Sequence, residues 1–264
     1  MFIMKKTSSS SQTKSLVLKT FLFSLFLSLT FLFFLLSDHQ PSSSSSSHHH
    51  KTTHPPPPTT KPPDLRIRPG FTTYDSYIQH QLNKTLNPKL RRLWLTRDWD
   101  RKIDVFSKFF TKLKHENFLS NDSKALCIGA RVGQEVAALK RVGVADSIGI
   151  DLVPYPPLVM QGDFHDQPFE NSTFDFEFSN VFDHALYPTK FVGEIERTLK
   201  PGGVCVLHVA LSGRGDKYSA NDLYNVGGLV GMFRVCEVVH VRKVDGFGLD
   251  TEVVFRKKKM NNYK

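Results

Sequence analysis

The stretch Ala125-Leu126-Cys127-Ile128-Gly129-Ala130-Arg131-Val132-Gly133 decides the fold. Its first four residues form a short apolar run that stops at a glycine, the pattern of a buried strand. Val132 to Arg141 then reads as a helix, so the glycine loop joins a strand to a helix. Working outward, Ser147 to Ile150, Leu158 to Gln161 and Phe174 to Ser179 repeat the strand signal. A helix is expected around Thr189 to Leu199, a strand from Val204 to Ala210 and a helix near Ala220 to Leu229. Two closing strands follow, Arg234 to Val241 and Thr251 to Phe255, around the turn-forming Asp245-Gly246-Phe247-Gly248. Strands alternating with helices imply βαβ units and a parallel sheet. The closing pair implies a hairpin that makes one strand antiparallel.

Upstream, residues 65–118 carry aromatic and basic residues at helical spacing. Phe106, Phe109, Phe110 and Leu113 lie at i, i+3, i+4 and i+7 and predict a helix face packed on the sheet. The α/β domain is expected over residues 119–258, with a basic tail at 259–264.

Chemistry-bearing residues fall at the strand ends. Gly129 to Gly133 offers small residues where a helix N-terminus and loop backbone can approach a ligand. Asp151 ends the next strand about twenty residues on, where a carboxylate can accept both hydroxyls of a ribose. Gly162-Asp163-Phe164 follows the third strand. Asn180-Val181-Phe182-Asp183-His184 follows the fourth, and Leu199-Lys200-Pro201-Gly202-Gly203 introduces the fifth.

This ordered set, from Cys127 to Gly203, resembles the class I S-adenosylmethionine-dependent methyltransferases of the small-molecule, type 11-like group, particularly plant membrane-anchored methyltransferase-like proteins. The resemblance implies a Rossmann-like seven-stranded, mostly parallel α/β sheet with a closing antiparallel hairpin. It implies that Gly129, Ala130, Arg131 and Gly133 flank the methionine part of the cofactor S-adenosyl-L-methionine. By the same resemblance Asp151 holds its ribose, Asp163 and Phe164 its adenine, and Asn180 the edge where the methyl group sits. His184 is the candidate general base or substrate contact there, with Asp183 as its orienter. The family's strand order also separates the strands that carry Cys127, Cys205 and Cys236, which implies three free thiols. Two positions depart from the family pattern. Cys127 stands where an acidic residue usually organises the amino-acid end of the cofactor, and Arg131 replaces the middle glycine. Arg131 either pairs with the cofactor carboxylate, a geometry Arg suits, or obstructs the loop.

The first sixty-odd residues belong to no core. Leu16 to Leu36 is Leu, Phe, Val, Ser and Thr with only Lys19 charged, and its uncharged part, Thr20 to Leu36, would rise roughly 26 Å as a helix, enough to span a bilayer. Lys5, Lys6, Lys14 and Lys19 lie on its N-terminal flank, and no acidic residue precedes Asp38. The positive-inside rule then gives a cytosolic tail (1–15), a transmembrane signal anchor (16–37) and a lumenal remainder. The run exceeds a usual signal-peptide core and no A-x-A-like cleavage site follows it. Residues 38–64, rich in Ser, His and Pro, read as an extended stalk, and His48 to His50 as part of that solvated tract. Sequons at Asn83, Asn121 and Asn171 lie on the side this topology calls lumenal.

Three scattered cysteines form neither a disulfide framework nor a zinc site, and no metal is expected. The net charge of +10 is concentrated towards the chain ends rather than on one face, which argues against a nucleic-acid partner. The expected protein is a single-pass type II enzyme of the Golgi or ER. It would methylate an oxygen or carboxylate of a small-molecule or polysaccharide acceptor. The alternative is a degenerate methyltransferase fold serving as a binding or scaffold protein. A dehydrogenase is excluded by the closing hairpin and by the acidic residue after the third strand.

Overall fold

The computed structural model describes residues 64–211 and 215–259. A short strand β1 (Leu65–Ile67) precedes three helices, α1 (Tyr74–Thr85), α2 (Pro88–Leu95) and α3 (Trp99–His115). The α/β body runs β2 (Ala125–Ile128), α4 (Gln134–Arg141), β3 (Ser147–Asp151), β4 (Val159–Gln161), β5 (Phe174–Ser179), α5 (Pro188–Thr198) and β6 (Leu199–Val209). It closes with β7 (Asn221–Leu223), α6 (Val226–Val230), β8 (Cys236–Gly246) and β9 (Leu249–Lys257).

Seven strands form one sheet in the order β4-β3-β2-β5-β6-β9-β8. The first five are parallel, and β9 runs antiparallel between β6 and β8. The chain leaves β2 towards β3 on one side and later returns to β5 on the other. The switch point therefore lies between β2 and β5, and a crevice opens there at the strands' C-terminal ends.

The period-two pattern assigns the faces. Ala125, Cys127, Phe176, Phe178, Val204 and Val206 point to one core, with Ile103, Phe106, Phe110 and Leu113 of α3 upon them. Leu126, Ile128, Phe174, Cys205, Leu207 and Phe255 point to the other, under Phe191, Val192 and Ile195 of α5. The α3 stripe is therefore a packing face, as its spacing predicts. Phe110 meets Phe178 edge to face at 5.2 Å, and each such buried ring contributes about 1.5–3 kcal/mol. Phe109 packs against His208 instead, with ring centroids 4.9 Å apart.

Two expectations change. The helix expected near Ala220 to Leu229 is a strand followed by a single helical segment: β7 pairs antiparallel with β1, and Asn225 caps the short α6. Arg66 and Arg68 both grip Asp222 across that ribbon, a cross-strand clamp no period analysis detects. The lead-in is accordingly not wholly helical. The glycine-loop helix begins at Gln134 rather than Val132, because Gly133 holds a left-handed conformation as its N-cap.

The expected transmembrane span and stalk lie outside the described residues. Among the described residues no helix is long and apolar enough to cross a membrane. All three cysteines are buried and free, as the strand order requires. Burial pushes their thiols up, Cys236 to about 12.

Candidate cofactor and acceptor site

A cavity of about 250 Å³ opens at the switch point. Gly129, Arg131, Asp151, Phe164, Asn180, Asp183 and His184 line it, so seven of the ten residues expected from the sequence converge. Ala130, Gly133 and Asp163 do not line it.

The loop after β2 is tightly determined. Gly129 has φ +73°, and a Cβ there would stand 2.3 Å from a Val181 methyl, so both conformation and space demand glycine. Gly133, at φ +86°, lets α4 approach Leu158 and Val159, which is a packing role. Arg131 also has positive φ, 51°, in the seat where glycine would be at ease. It is held there by what it touches. Its backbone N–H donates to Asp151 Oδ2 at 2.9 Å, and its guanidinium lies over the Trp94 ring at 5.5 Å. It also stands 3.7 Å from Glu135 Oε1.

Asp151 ends β3 with its carboxylate at the cavity. Burial pushes its pKa up, while N–H groups of Arg131 and Val153 hold it down. Asp163 is drawn away instead. Tyr74 of α1 donates to its Oδ2, and His165 N–H donates to Oδ1 at 2.8 Å. Burial works against this carboxylate, yet the bonds from His165 and Tyr74 prevail and keep it below its ordinary value. Tyr74 also stacks on Tyr187, with ring centroids 5.5 Å apart. Phe164 alone of the expected adenine pair faces the cavity.

His184 is not oriented by Asp183. Their atoms are 3.9 Å apart, beyond hydrogen-bond reach, because Asp183 accepts from Ser219 Oγ. The ring is fixed by α1: Nδ1 meets Gln81 Oε1 at 3.0 Å and Nε2 meets Lys84 Nζ at 3.1 Å. Since an ammonium only donates, Nε2 accepts and Nδ1 carries the proton. Burial depresses the His184 pKa; Asp183 opposes that and Lys84 adds to it. Both nitrogens are thus engaged in a neutral ring, a poor arrangement for a free base.

The lead-in and the hairpin turn supply cavity residues that the sequence reading did not name. Gln81, Lys84, Thr85 and Lys102 line the cavity from α1 and α3, and Phe247 and Gly248 of the hairpin turn close over it. The Lys102 ammonium sits 5.2 Å from the Phe247 ring. Burial, reinforced by Arg131, lowers its pKa to about 8. Nothing in the spacing separates Lys102 from the many solvated lysines around it.

Residues 126–207 match the family described as a methyltransferase domain. The fold is similar to that of 1,6-didemethyltoxoflavin-N1-methyltransferase from Burkholderia thailandensis. The molecules bound there are 1,6-didemethyltoxoflavin and S-adenosylhomocysteine, and the likeness has TM-score 0.57 and 15% identity, covering 73% of this chain and 93% of that one. It is also similar to the 4+2 cyclase SpnF, with TM-score 0.53 and 14% identity, covering 70% and 96%. No curated protein matches the chain in sequence. The fold is similar to that of solved methyltransferases, and residues 126–207 match the methyltransferase-domain family.

The residues present suit S-adenosylmethionine as cofactor. Gly129 gives the close backbone approach and Asp151 the carboxylate at the strand end. Beside them lie buried polar atoms without a partner, Arg131 Nε and Glu135 Oε2, which a ligand bearing both charges would satisfy.

Proposed function

We propose that this protein is a membrane-anchored S-adenosylmethionine-dependent methyltransferase that methylates an oxygen or carboxylate of a small-molecule or polysaccharide acceptor on the lumenal side of the Golgi or ER. The observation that carries the choice of acceptor is the wall facing the methyl edge. Lys84 brings a cation to the cavity beside His184, which has both nitrogens committed. A carboxylate needs no base to become a nucleophile, and such a wall would attract it.

When bound, the sulfonium supplies an already activated methyl donor, so alignment and exclusion of water account for most of the rate effect. The chain's residues serve that alignment. Asp151 would hold the ribose, Phe164 would pack against the adenine, and Phe247 shields the cavity. Lys84, braced by Asp216 at 2.7 Å and by His184, presents a fixed positive charge to the acceptor. Its N–H donors can orient an acceptor oxygen without removing a proton.

The anchored, lumenal part of the reading rests on the apolar run before residue 37 and its flanking lysines. The exposure of Asn83, Asn121 and Asn171 on the domain surface is compatible with it. The second reading, a methyltransferase fold that binds or scaffolds without transferring methyl, is favoured by Cys127 and by the positive φ of Arg131. Incubating the full-length protein with radiolabelled S-adenosylmethionine and a panel of carboxylic acids, phenols and amines separates the readings. Label should pass to acids or hydroxyls. Transfer to amines alone would refute the acceptor class, and slow cofactor binding without any transfer would favour the scaffold.

A further inference from the structure

The family resemblance leaves the amino-acid end of the cofactor without its acidic residue, because Cys127 is a buried, uncharged member of the core. The structure places another carboxylate beside it. Glu135, in the first turn of α4, is 2% exposed, and its charge is near enough to help push the Cys127 thiol up. Its Oε1 accepts from Asn180 Nδ2 at 3.1 Å and stands 3.7 Å from Arg131, while Oε2 is buried and has no partner. A buried carboxylate oxygen left bare costs several kcal/mol, so it is normally present for a ligand or an ion.

The opposite charge is also waiting. Lys102 comes from α3, an element outside the matched family segment, and is 7% exposed with its ammonium at the cavity. Among the described residues it has no hydrogen-bond acceptor and no ion pair, and its ammonium faces the Phe247 ring. Arg131 beside it keeps Nε buried and unpartnered. Lys102 and Arg131 line the crevice, and Glu135 stands just behind that wall, joined to it through Asn180 and Arg131, so one anion and two cations gather at the methionine end, the complement of an α-amino acid zwitterion.

Resting on the methyltransferase reading, we propose that Glu135 and Lys102 replace the missing strand-end acid. Glu135, positioned by Asn180, takes the cofactor's α-ammonium group, and Lys102 with Arg131 takes its α-carboxylate. The set is drawn from three elements, the lead-in helix α3, the loop after β2 and the first turn of α4. The lead-in helices therefore belong to the cofactor site as well as to the acceptor wall.

Calorimetric titration of the full-length protein in detergent tests the assignment with two ligands. S-adenosylhomocysteine carries the amino-acid end, and 5′-methylthioadenosine lacks it. Glu135→Gln and Lys102→Met should each weaken S-adenosylhomocysteine about ten- to a hundredfold, as expected for a lost charge-assisted bond, and leave 5′-methylthioadenosine within about twofold. Unchanged S-adenosylhomocysteine affinity in both variants overturns the assignment while the wild type's binding keeps the methyltransferase reading. Equal losses for both ligands overturn it too, since the effect then does not lie at the amino-acid end. If Lys102→Met raises only the acceptor's KM, Lys102 serves the acceptor and the assignment is wrong. Failure of the wild type to bind either ligand overturns the methyltransferase reading and this assignment together.

Discussion

Asp151, the strand-end carboxylate expected at the cofactor's ribose, lines the crevice where its place in the sequence suggests. At the amino-acid end the expected positions are occupied by a buried thiol and a large cation, and the polar groups come from neighbours instead. The difference teaches that the loop's backbone geometry and its side-chain chemistry are set separately. The backbone of the glycine loop still follows the required path, with Gly129 and Arg131 both at positive φ. Side chains from α3 and α4 then fill the charges that the loop no longer carries.

The shared backbone is where substitution should do most harm. Gly129→Ala combines a disfavoured φ with a Cβ 2.3 Å from a Val181 methyl, and should destabilise the domain by about 2–4 kcal/mol. Chemical denaturation measures this, and a loss below about 1 kcal/mol would mean the loop is less determined than described.

Next in size is the ribose end. Asp151→Ala should weaken S-adenosylmethionine binding about ten- to a hundredfold, since charge-assisted bonds contribute roughly 1.5–3 kcal/mol. Asp163→Ala should cost less affinity and more stability, because that carboxylate is committed to Tyr74 and His165. If Asp163→Ala proves the worse of the two for binding, the contrast drawn between these carboxylates fails.

Arg131→Gly sharpens the other end. Glycine relieves the strain of positive φ, about 1 kcal/mol, but removes the stacking on Trp94 and a cation from the cofactor's carboxylate. Stability should change little and affinity should fall by roughly tenfold. Tighter binding in Arg131→Gly would identify the arginine as an obstruction.

Away from the crevice, Glu177 offers a control within the sheet. Burial raises its pKa to about 8, with Thr198 Oγ1 donating to one oxygen and the other unpartnered. Its folded pKa exceeds the ordinary 4.5, so the fold binds the extra proton. Stability from this group is complete below pH 4.5 and is lost as pH rises through about 8. Glu177→Gln should therefore raise Tm relative to wild type at pH 8.5 by roughly 2–4 °C per kcal/mol recovered, and change it little at pH 4.5. Equal effects at both pH values would show that ionisation is not the cause.

Much of this arrangement was legible in the sequence. The strand runs from Ala125 to Ser179 read correctly because they are short apolar runs, mostly buried, that end at glycine or polar residues. The closing hairpin read correctly because Asp245-Gly246-Phe247-Gly248 is turn chemistry. The ribbon of β1 and β7 did not, since three-residue strands leave no periodic signal and the Arg66, Arg68 and Asp222 clamp joins positions more than 150 residues apart. Asp183 and His184 are adjacent in sequence, which suggested a dyad. Their actual partners, Ser219 for one and Gln81 with Lys84 for the other, come from distant elements. Glu135 and Lys102 were hidden for the same reason, as each looks like one more charge on an amphipathic helix.

The central claim is that this crevice, with its altered loop, still binds S-adenosylmethionine. Titrating the full-length wild-type protein with S-adenosylmethionine by calorimetry tests it most directly. Saturable one-to-one binding, weakened in Asp151→Ala and in Arg131→Gly, is the predicted result. No binding by the wild type at about millimolar cofactor, restored by Arg131→Gly, would contradict the claim and leave a methyltransferase fold that has given up its cofactor.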